Sequence, residues 1–195
     1  MLKVGITGGI GSGKTTICNF FRLLGIPVFE ADTEAKHIID SSAFVQSELK
    51  RLFGNDIYLT NQSIDRKKLA GFIFNSPILL EKVNAIIHPE VRKSFFEWCT
   101  RQNSSYIIHE AAILFESGFY KMMDQIILVK APLKEQISRV MARENTTEEE
   151  VRNRISKQWT DEEKEVLATY TINNNNAELI IPQLLELDKK FKLHG

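Results

Sequence analysis

The chain has 195 residues, with 25 Lys and Arg against 25 Asp and Glu, so its formal net charge is zero. That balance excludes a broad electrostatic pull toward nucleic acid or an anionic membrane surface. No run of 18 apolar residues occurs, which excludes a membrane-spanning helix, and the length suits one domain with an elaboration.

In chain order, Leu2, Val4 and Ile6 alternate as a short buried strand would. Gly8, Gly9, Ile10, Gly11, Ser12, Gly13, Lys14 and Thr15 follow, matching G-x-x-x-x-G-K-S/T. Ile17, Phe20, Phe21 and Leu24 then fall at helical spacing, with Gly25 where a helix C-cap belongs. A second strand is expected over residues 26–29, then a helix capped by Asp32 or Thr33 and running through Ile38 and Ile39. A further helix over residues 43–53 should end at Gly54, and residues 55–63 read as a weakly ordered connecting loop.

Residues 64–102 carry mostly helical spacing. Leu69, Phe72 and Ile73 form one stripe; Asn75, Ser76 and Pro77 punctuate it; Leu79, Leu80, Val83, Ile86 and Ile87 resume it. His88 and Pro89 are expected to interrupt that helix or to start a new one. Trp98 and the phenylalanines at 72, 74, 95 and 96 read as core. Strands follow at residues 106–109, ending at Glu110, and at 125–130. Leu133, Ile137, Val140 and Met141 mark an amphipathic helix; Thr146 and Thr147 cap an acidic first turn of another, reaching Gln158. A fifth strand near residues 168–172, a turn over 173–176 and a final helix from Ala177 or Pro182 complete the chain.

This alternation predicts an α/β fold, a five-stranded parallel sheet flanked by helices, and the G-x-x-x-x-G-K-S/T loop after its first strand makes it a sheet of the P-loop type. The core is expected over about 1–55 and 104–195, with a helical substrate-facing insertion over about 56–103 and a lid over about 139–160. The two cysteines, Cys18 and Cys99, have neither metal-site nor disulfide-framework spacing, so buried free thiols are expected. A first strand starting at Leu2 leaves no room for a leader, and a cytoplasmic location is expected. A monomer is the favoured reading of the oligomeric state.

The glycine loop carries the clearest chemistry. Its glycines, Gly9, Gly11 and Gly13 among them, let the backbone of Ser12, Lys14, Thr15 and Thr16 turn N–H groups around phosphates, and the helix N-terminus adds partial positive charge. Lys14 can reach the β- and γ-phosphates of ATP and the Thr15 hydroxyl can ligate Mg²⁺. The loop by itself does not choose among kinase, GTPase and transporter. Neither N-K-x-D nor D-x-x-G occurs, and the third strand ends in His109 and Glu110 instead of an aspartate. A small-molecule kinase fits these features.

The resemblance becomes specific over nearly the full length. Thr7–Thr15 follows the T-G-G-I-G-S-G-K-S/T of the dephospho-coenzyme A kinase family, and Leu24, Gly25, Val28, Ala31 and Asp32 follow its L-G-x-x-V-x-D-A-D. Asp65, Arg66 and Leu69, then His88, Pro89 and Arg92, follow D-R-x-x-L and H-P-x-x-R. Leu114, Phe115 and Glu116 follow L-L-F-E. Gln136, Arg139 and Arg143, then Arg154, Ile155 and Gln158, follow Q-x-x-R-x-x-x-R and R-I-x-x-Q; Asn174 ends a late A-D-x-V-I-x-N. Glu30, Lys36, Ala112 and Thr169 depart from the pattern.

The resemblance implies transfer of the γ-phosphoryl of ATP to the ribose 3′-hydroxyl of dephospho-coenzyme A, with Mg²⁺. It implies Asp32 as general base or orienting group, where the residue type alone serves equally as a helix cap. It implies Lys14 and Arg139 as charge-neutralising catalytic groups, Arg143 as a nucleotide contact, and His88, Arg92 and Glu116 on the acceptor side, with holding a loop the other reading of Glu116. Without it, Arg139 and Arg143 would read as a solvated pair, and His88 as a structural residue at a helix break. His109 reads as packing near the sheet edge. The rival readings are another nucleotide, shikimate or gluconate kinase on this fold, and a P-loop regulatory ATPase.

Overall fold

The computed structural model describes every residue except Asn75 and Asn176, so the parts of two expected turns that fall there lie outside the described residues. Five strands form one sheet: β1 (Leu2–Thr7), β2 (Val28–Glu30), β3 (Tyr106–Glu110), β4 (Gln125–Lys130) and β5 (Tyr170–Asn173). Their order is β2-β3-β1-β4-β5, and every pairing is parallel. β1 is central, and the chain leaves it toward β2 on one side while β4 pairs on the other. Its carboxyl end is therefore the point where the strand order reverses, which is where such sheets bind ligands.

The residues explain the layering. Ile126, Ile127, Leu128 and Val129 of β4 are all buried, as a parallel strand covered on both faces requires. Val4 and Ile6 pack with Ile17 and Phe21 of α1 (Lys14–Leu23) and with Leu184 and Phe191 of α9 (Ile180–His194). Tyr106 of β3 lies in that cluster, and its hydroxyl donates to Asp188 of α9 at 2.8 Å. Cys18 is buried in the same cluster and is a free thiol, as is buried Cys99.

The crossover from β2 to β3 holds a second compact unit, residues Ala31–Arg101; the sheet unit is Met1–Glu30 with Gln102–Gly195. The helical unit contains α2 (Ala31–Ser41), α3 (Ala43–Phe53), α4 (Arg66–Phe74) and α5 (Pro77–Cys99). Ser42 caps α3 by accepting from Val45 N–H; Ser76 caps α5 by accepting from Leu79 N–H, with Pro77 in the first turn.

Four expectations are corrected here. α2 starts at Ala31, directly after β2, so Asp32 and Thr33 lie inside its first turn and neither is its cap. α5 runs unbroken for 23 residues through Pro89. Pro89 forfeits one backbone hydrogen bond, but Val83, Ile87, Val91 and Phe95 form a continuous buried stripe on both sides of it. Residues 55–63 are not weakly ordered: Asn55–Ile57 is a turn of 3₁₀ helix, Tyr58 pairs with Ile64, and the Tyr58 hydroxyl donates to the Ile39 carbonyl at 2.9 Å. Phe95 is core, but Phe72, Phe74 and Phe96 are exposed because they fall off the buried stripes.

The sheet unit carries the remaining helices, α6 (Leu133–Glu144), α7 (Glu148–Ile155) and α8 (Asp161–Glu165). α7 has a capping box of Thr147 and Glu150, and α8 one of Thr160 and Glu163. α7 ends at Ile155, short of the expected Gln158, leaving residues 156–160 as an irregular connection. Val151 of α7 packs on Ile137 and Val140 of α6, with Ile10 and Ile155 against them.

Candidate functional site

The glycine loop joins β1 to α1 at the carboxyl end of the central strand. Two positions show why glycine is required. At Gly11, φ is +77° and an added Cβ would meet the Gln136 carbonyl oxygen at 2.4 Å; at Gly13, φ is +99° and it would meet Asn174 Nδ2 at 2.2 Å. The loop is thus pressed between α6 and the residue that follows β5.

Side chains hold the loop's carbonyls. Lys14 Nζ donates to Gly8 and Gly9 at 2.9 and 3.1 Å. Asn174 Nδ2 donates to Ser12 at 2.8 Å. The Arg139 guanidinium reaches the carbonyls of Gly11 and Asn174, each at 3.4 Å, and sits 3.5 Å from the Glu135 carboxylate. The Ile10 N–H donates to Gln158 Oε1 at 3.0 Å.

Like α9, and unlike α7 and α8, α1 starts with neither a side-chain cap nor an acidic first turn. Its N-cap, Gly13, supplies no side-chain hydrogen bond, and no acidic residue lies in its first turn. α7 and α8 instead carry capping boxes and three acidic residues apiece. The first N–H groups of α1 thus receive no side-chain cap from Gly13 and no carboxylate from their own turn, an arrangement suited to an anion. Thr15 and Thr16 are exposed there. Thr7 Oγ1 and Ser12 Oγ are buried without a hydrogen-bond partner among the described residues. A cleft of about 460 Å³ opens beside the loop, lined by Gly9, Leu133, Gln136, Gln158, Trp159 and Asp161. Burial raises the carboxyl pKa of Asp161, with Lys164 and Lys130 acting against the shift.

Lys14 and Arg139 are thus brought together on the loop. Arg143 is exposed further along α6 and pairs with Glu144, which Arg154 also engages. Glu116 lies in the segment after β3. Its Oε1 accepts from Trp159 N–H at 3.0 Å and lies 3.4 Å from the Nζ of Lys164, which is completely buried.

In the helical unit, Asp32 is exposed in the first turn of α2. His88 and Arg92 are half-buried one turn apart on α5, and burial and then the Arg92 charge lower the His88 pKa. His109 is fully buried between Phe29 and Phe119, at ring distances of 5.5 and 5.1 Å, and burial lowers its pKa to about 4. It is neutral at physiological pH. Burial likewise pushes the Cys18 thiol far above its usual range, so it is no nucleophile.

Gln136, Gln158 and Asn174, present in the sequence only as members of motif runs, prove to be loop-side residues. Asn174 is one of four consecutive asparagines, 173–176, and nothing in that run singles it out. The Glu116–Lys164 pair had no signal, because Lys164 sits in a run of acidic residues that reads as a solvated face.

Comparison with known proteins gives a consistent result. A family model described as dephospho-CoA kinase matches residues 2–179. A dephospho-CoA kinase of Porphyromonas gingivalis is 41% identical, covering 96% of this chain and 93% of the relative. A crystal structure of a Thermus thermophilus protein superposes with a TM-score of 0.84 at 35% identity, covering 97% and 95% of the two chains. A shikimate kinase of Bacteroides thetaiotaomicron shares the fold, with a TM-score of 0.53 at 15% identity, covering 98% of each chain.

Proposed function

Since the chain belongs to the dephospho-CoA kinase family, we propose that it transfers the γ-phosphoryl group of ATP to the ribose 3′-hydroxyl of dephospho-coenzyme A. The products are coenzyme A and ADP. The observation that carries this reading is the family match over residues 2–179, met by a glycine loop whose helix N-terminus is left without cap or carboxylate.

In the transfer the 3′-oxygen bonds to the γ-phosphorus, the bond to the β,γ-bridging oxygen breaks, and ADP leaves. The protein's work is positioning and charge neutralisation. Lys14 and the amides at the start of α1 hold the phosphates, with Gly9, Gly11, Ser12, Gly13, Thr15 and Thr16 shaping that cradle. Arg139 balances charge on the transferring group, and Arg143 contacts the nucleotide. Asp32 takes the hydroxyl proton or orients the hydroxyl. His88, Arg92 and Glu116 serve the acceptor side.

Mg²⁺ fits the donors present. It keeps several waters and is bound through phosphates with few protein ligands. Thr15 offers an exposed hydroxyl in the first turn, and among the described residues no cluster of His, Cys, Asp and Glu forms a protein cage. Thr15 would hold the ion, which would neutralise phosphate charge. Among the described residues no helix is long and apolar enough to cross a membrane. We place the enzyme in the cytoplasm as a monomer, without nucleic-acid or membrane partners.

ADP release coupled to product detection, over a panel of dephospho-coenzyme A, shikimate, gluconate and nucleoside monophosphates, tests the reading. The expected result is stoichiometric ADP and coenzyme A with dephospho-coenzyme A alone. Turnover with another acceptor, or none with this one, overturns it.

A further inference from the structure

The tip of the glycine loop is held by a residue outside the phosphate machinery described above. Gln158 lies in the irregular connection between α7 and α8, half-buried. Its side-chain oxygen accepts from Ile10 N–H at 3.0 Å, and its side-chain nitrogen donates to the Ala112 carbonyl at 3.3 Å. One amide group therefore joins the loop after β1 to the segment after β3. Only a side chain with both an acceptor and a donor can do this.

Two neighbouring observations make the junction specific. Trp159, the next residue, donates its backbone N–H to Glu116 and stacks on Phe115 with ring planes 4° apart. The Ile10 side chain packs against the cluster of Ile137, Val140 and Val151, with Ile155 of α7 beside it. Ile10 is thus gripped through its side chain by α6 and α7 and through its amide by Gln158. The connection that supplies Gln158 is in turn gripped by residues 112–116.

We propose that Gln158 is a positioning residue for phosphoryl transfer: it fixes the tip of the phosphate loop when residues 156–160 are seated, and releases it when they lift. A loop held in one geometry places the phosphates in line; a loosened one binds them without aligning them. Gln158 touches no reacting atom in this scheme and acts through Ile10. The kinetic part of the inference rests on the kinase reading, but the structural part does not.

The test uses Gln158→Met, close in length and without the hydrogen bonds, and Gln158→Glu, which keeps an acceptor for Ile10 and loses the donor to Ala112. Hydrogen exchange is followed by NMR on the nucleotide-free proteins. The Ile10 amide should exchange about 10-fold faster or more in Gln158→Met, and faster than wild type in Gln158→Glu, whose second carboxylate oxygen is repelled by the Ala112 carbonyl, with β1 and β4 amides unchanged in both. In the coupled assay, Gln158→Met should lose about 10-fold or more in kcat while each KM moves less than about 3-fold. More of its ADP should appear without phosphorylated acceptor.

Unchanged Ile10 exchange in Gln158→Met overturns the junction. So does unchanged Ile10 exchange in a folded Gln158→Glu, which also decides the matter if Gln158→Met does not fold. Faster Ile10 exchange with wild-type kcat overturns the positioning role. A wild-type protein inactive on dephospho-coenzyme A would sink the kinase reading, with the exchange result still deciding the junction.

Discussion

The side-chain amide of Asn174 donates to the carbonyl of Ser12 at 2.8 Å, tying the end of β5 to the glycine loop across 162 residues of sequence. The contact leaves no room at the facing position, since a Cβ on Gly13 would lie 2.2 Å from that amide nitrogen. Gly13→Ala must therefore push Asn174 away and also hold alanine at a left-handed φ, which costs about 1–2 kcal/mol by itself. A loss of at least about 10-fold in affinity for an ATP analogue is expected, with the fold retained by circular dichroism. Gly13→Ala combined with Asn174→Ala should remain impaired, because removing the clash leaves the backbone strain. Calorimetric titration with wild-type affinity in either variant would show that the loop tolerates the change.

Lys14 gives a different kind of loss. Its ammonium bonds two loop carbonyls, and the residue is only 8% exposed. Lys14→Ala removes the charge offered to the phosphates and also two hydrogen bonds that shape the loop. Transfer should fall by more than about 100-fold, while unfolding in urea shifts by no more than about 1–3 kcal/mol. Turnover near the wild-type rate in a folded Lys14→Ala protein would remove this loop from the mechanism.

Where sequence reading succeeded, the cause of structure was local. The loop's chemistry depends on eight consecutive residues, and β4 is a run of apolar residues that only a doubly covered strand accommodates. A cap at Asp32 or Thr33 is what the residue types suggest, but α2 follows β2 directly, so its start leaves no mark in the sequence. Pro89 signals a break by every local rule, yet the buried stripe of α5 outweighs one missing hydrogen bond. Lys164 is buried by a partner 48 positions earlier, Glu116, and no window of neighbouring residues contains that information. The two glycine-loop clamps, Gln158 and Asn174, belong to the same class, since their partners are distant in sequence, whereas the Gln136 side chain donates to Ala131 five residues away.

His109 makes stability depend on pH. Its folded pKa is about 4 against an ordinary 6.5, because burial between Phe29 and Phe119 disfavours the charged ring. Between those values the unfolded chain binds a proton that the folded protein refuses. The stabilising contribution is complete above about pH 6.5 and is lost as the pH falls toward 4, amounting to about 3 kcal/mol over the window. Urea unfolding at pH 7.5 and 5 should show the wild type weakening, and His109→Phe, which keeps an aromatic ring but cannot titrate, should flatten the difference. An identical pH dependence in the two proteins would contradict a neutral buried His109.

Asp32 is the residue whose replacement separates the chemical role from a structural one. It lies within the first turn of α2 and not at the cap, and its side chain is exposed. A purely structural Asp32 would contribute only the attraction of a carboxylate to a helix N-terminus, about 0.3–1 kcal/mol. Asp32→Asn should then leave turnover alone. If Asp32 accepts or orients the acceptor's hydroxyl proton, Asn keeps the shape but loses the charge and basicity, and kcat should fall about 10²- to 10⁴-fold. Affinity for an ATP analogue should hold within about 3-fold, since the phosphates rest on Lys14 and the loop amides, and stability should stay within about 1 kcal/mol. The carboxylates nearest in sequence have partners of their own, Glu30 with Arg22 and Glu34 with Ser94, and Glu116, far along the chain, accepts from Trp159 N–H. Wild-type turnover by Asp32→Asn would therefore leave Asp32 a structural carboxylate at the start of α2 and move the role of base to another group, with Glu30 and Glu116 the next to replace.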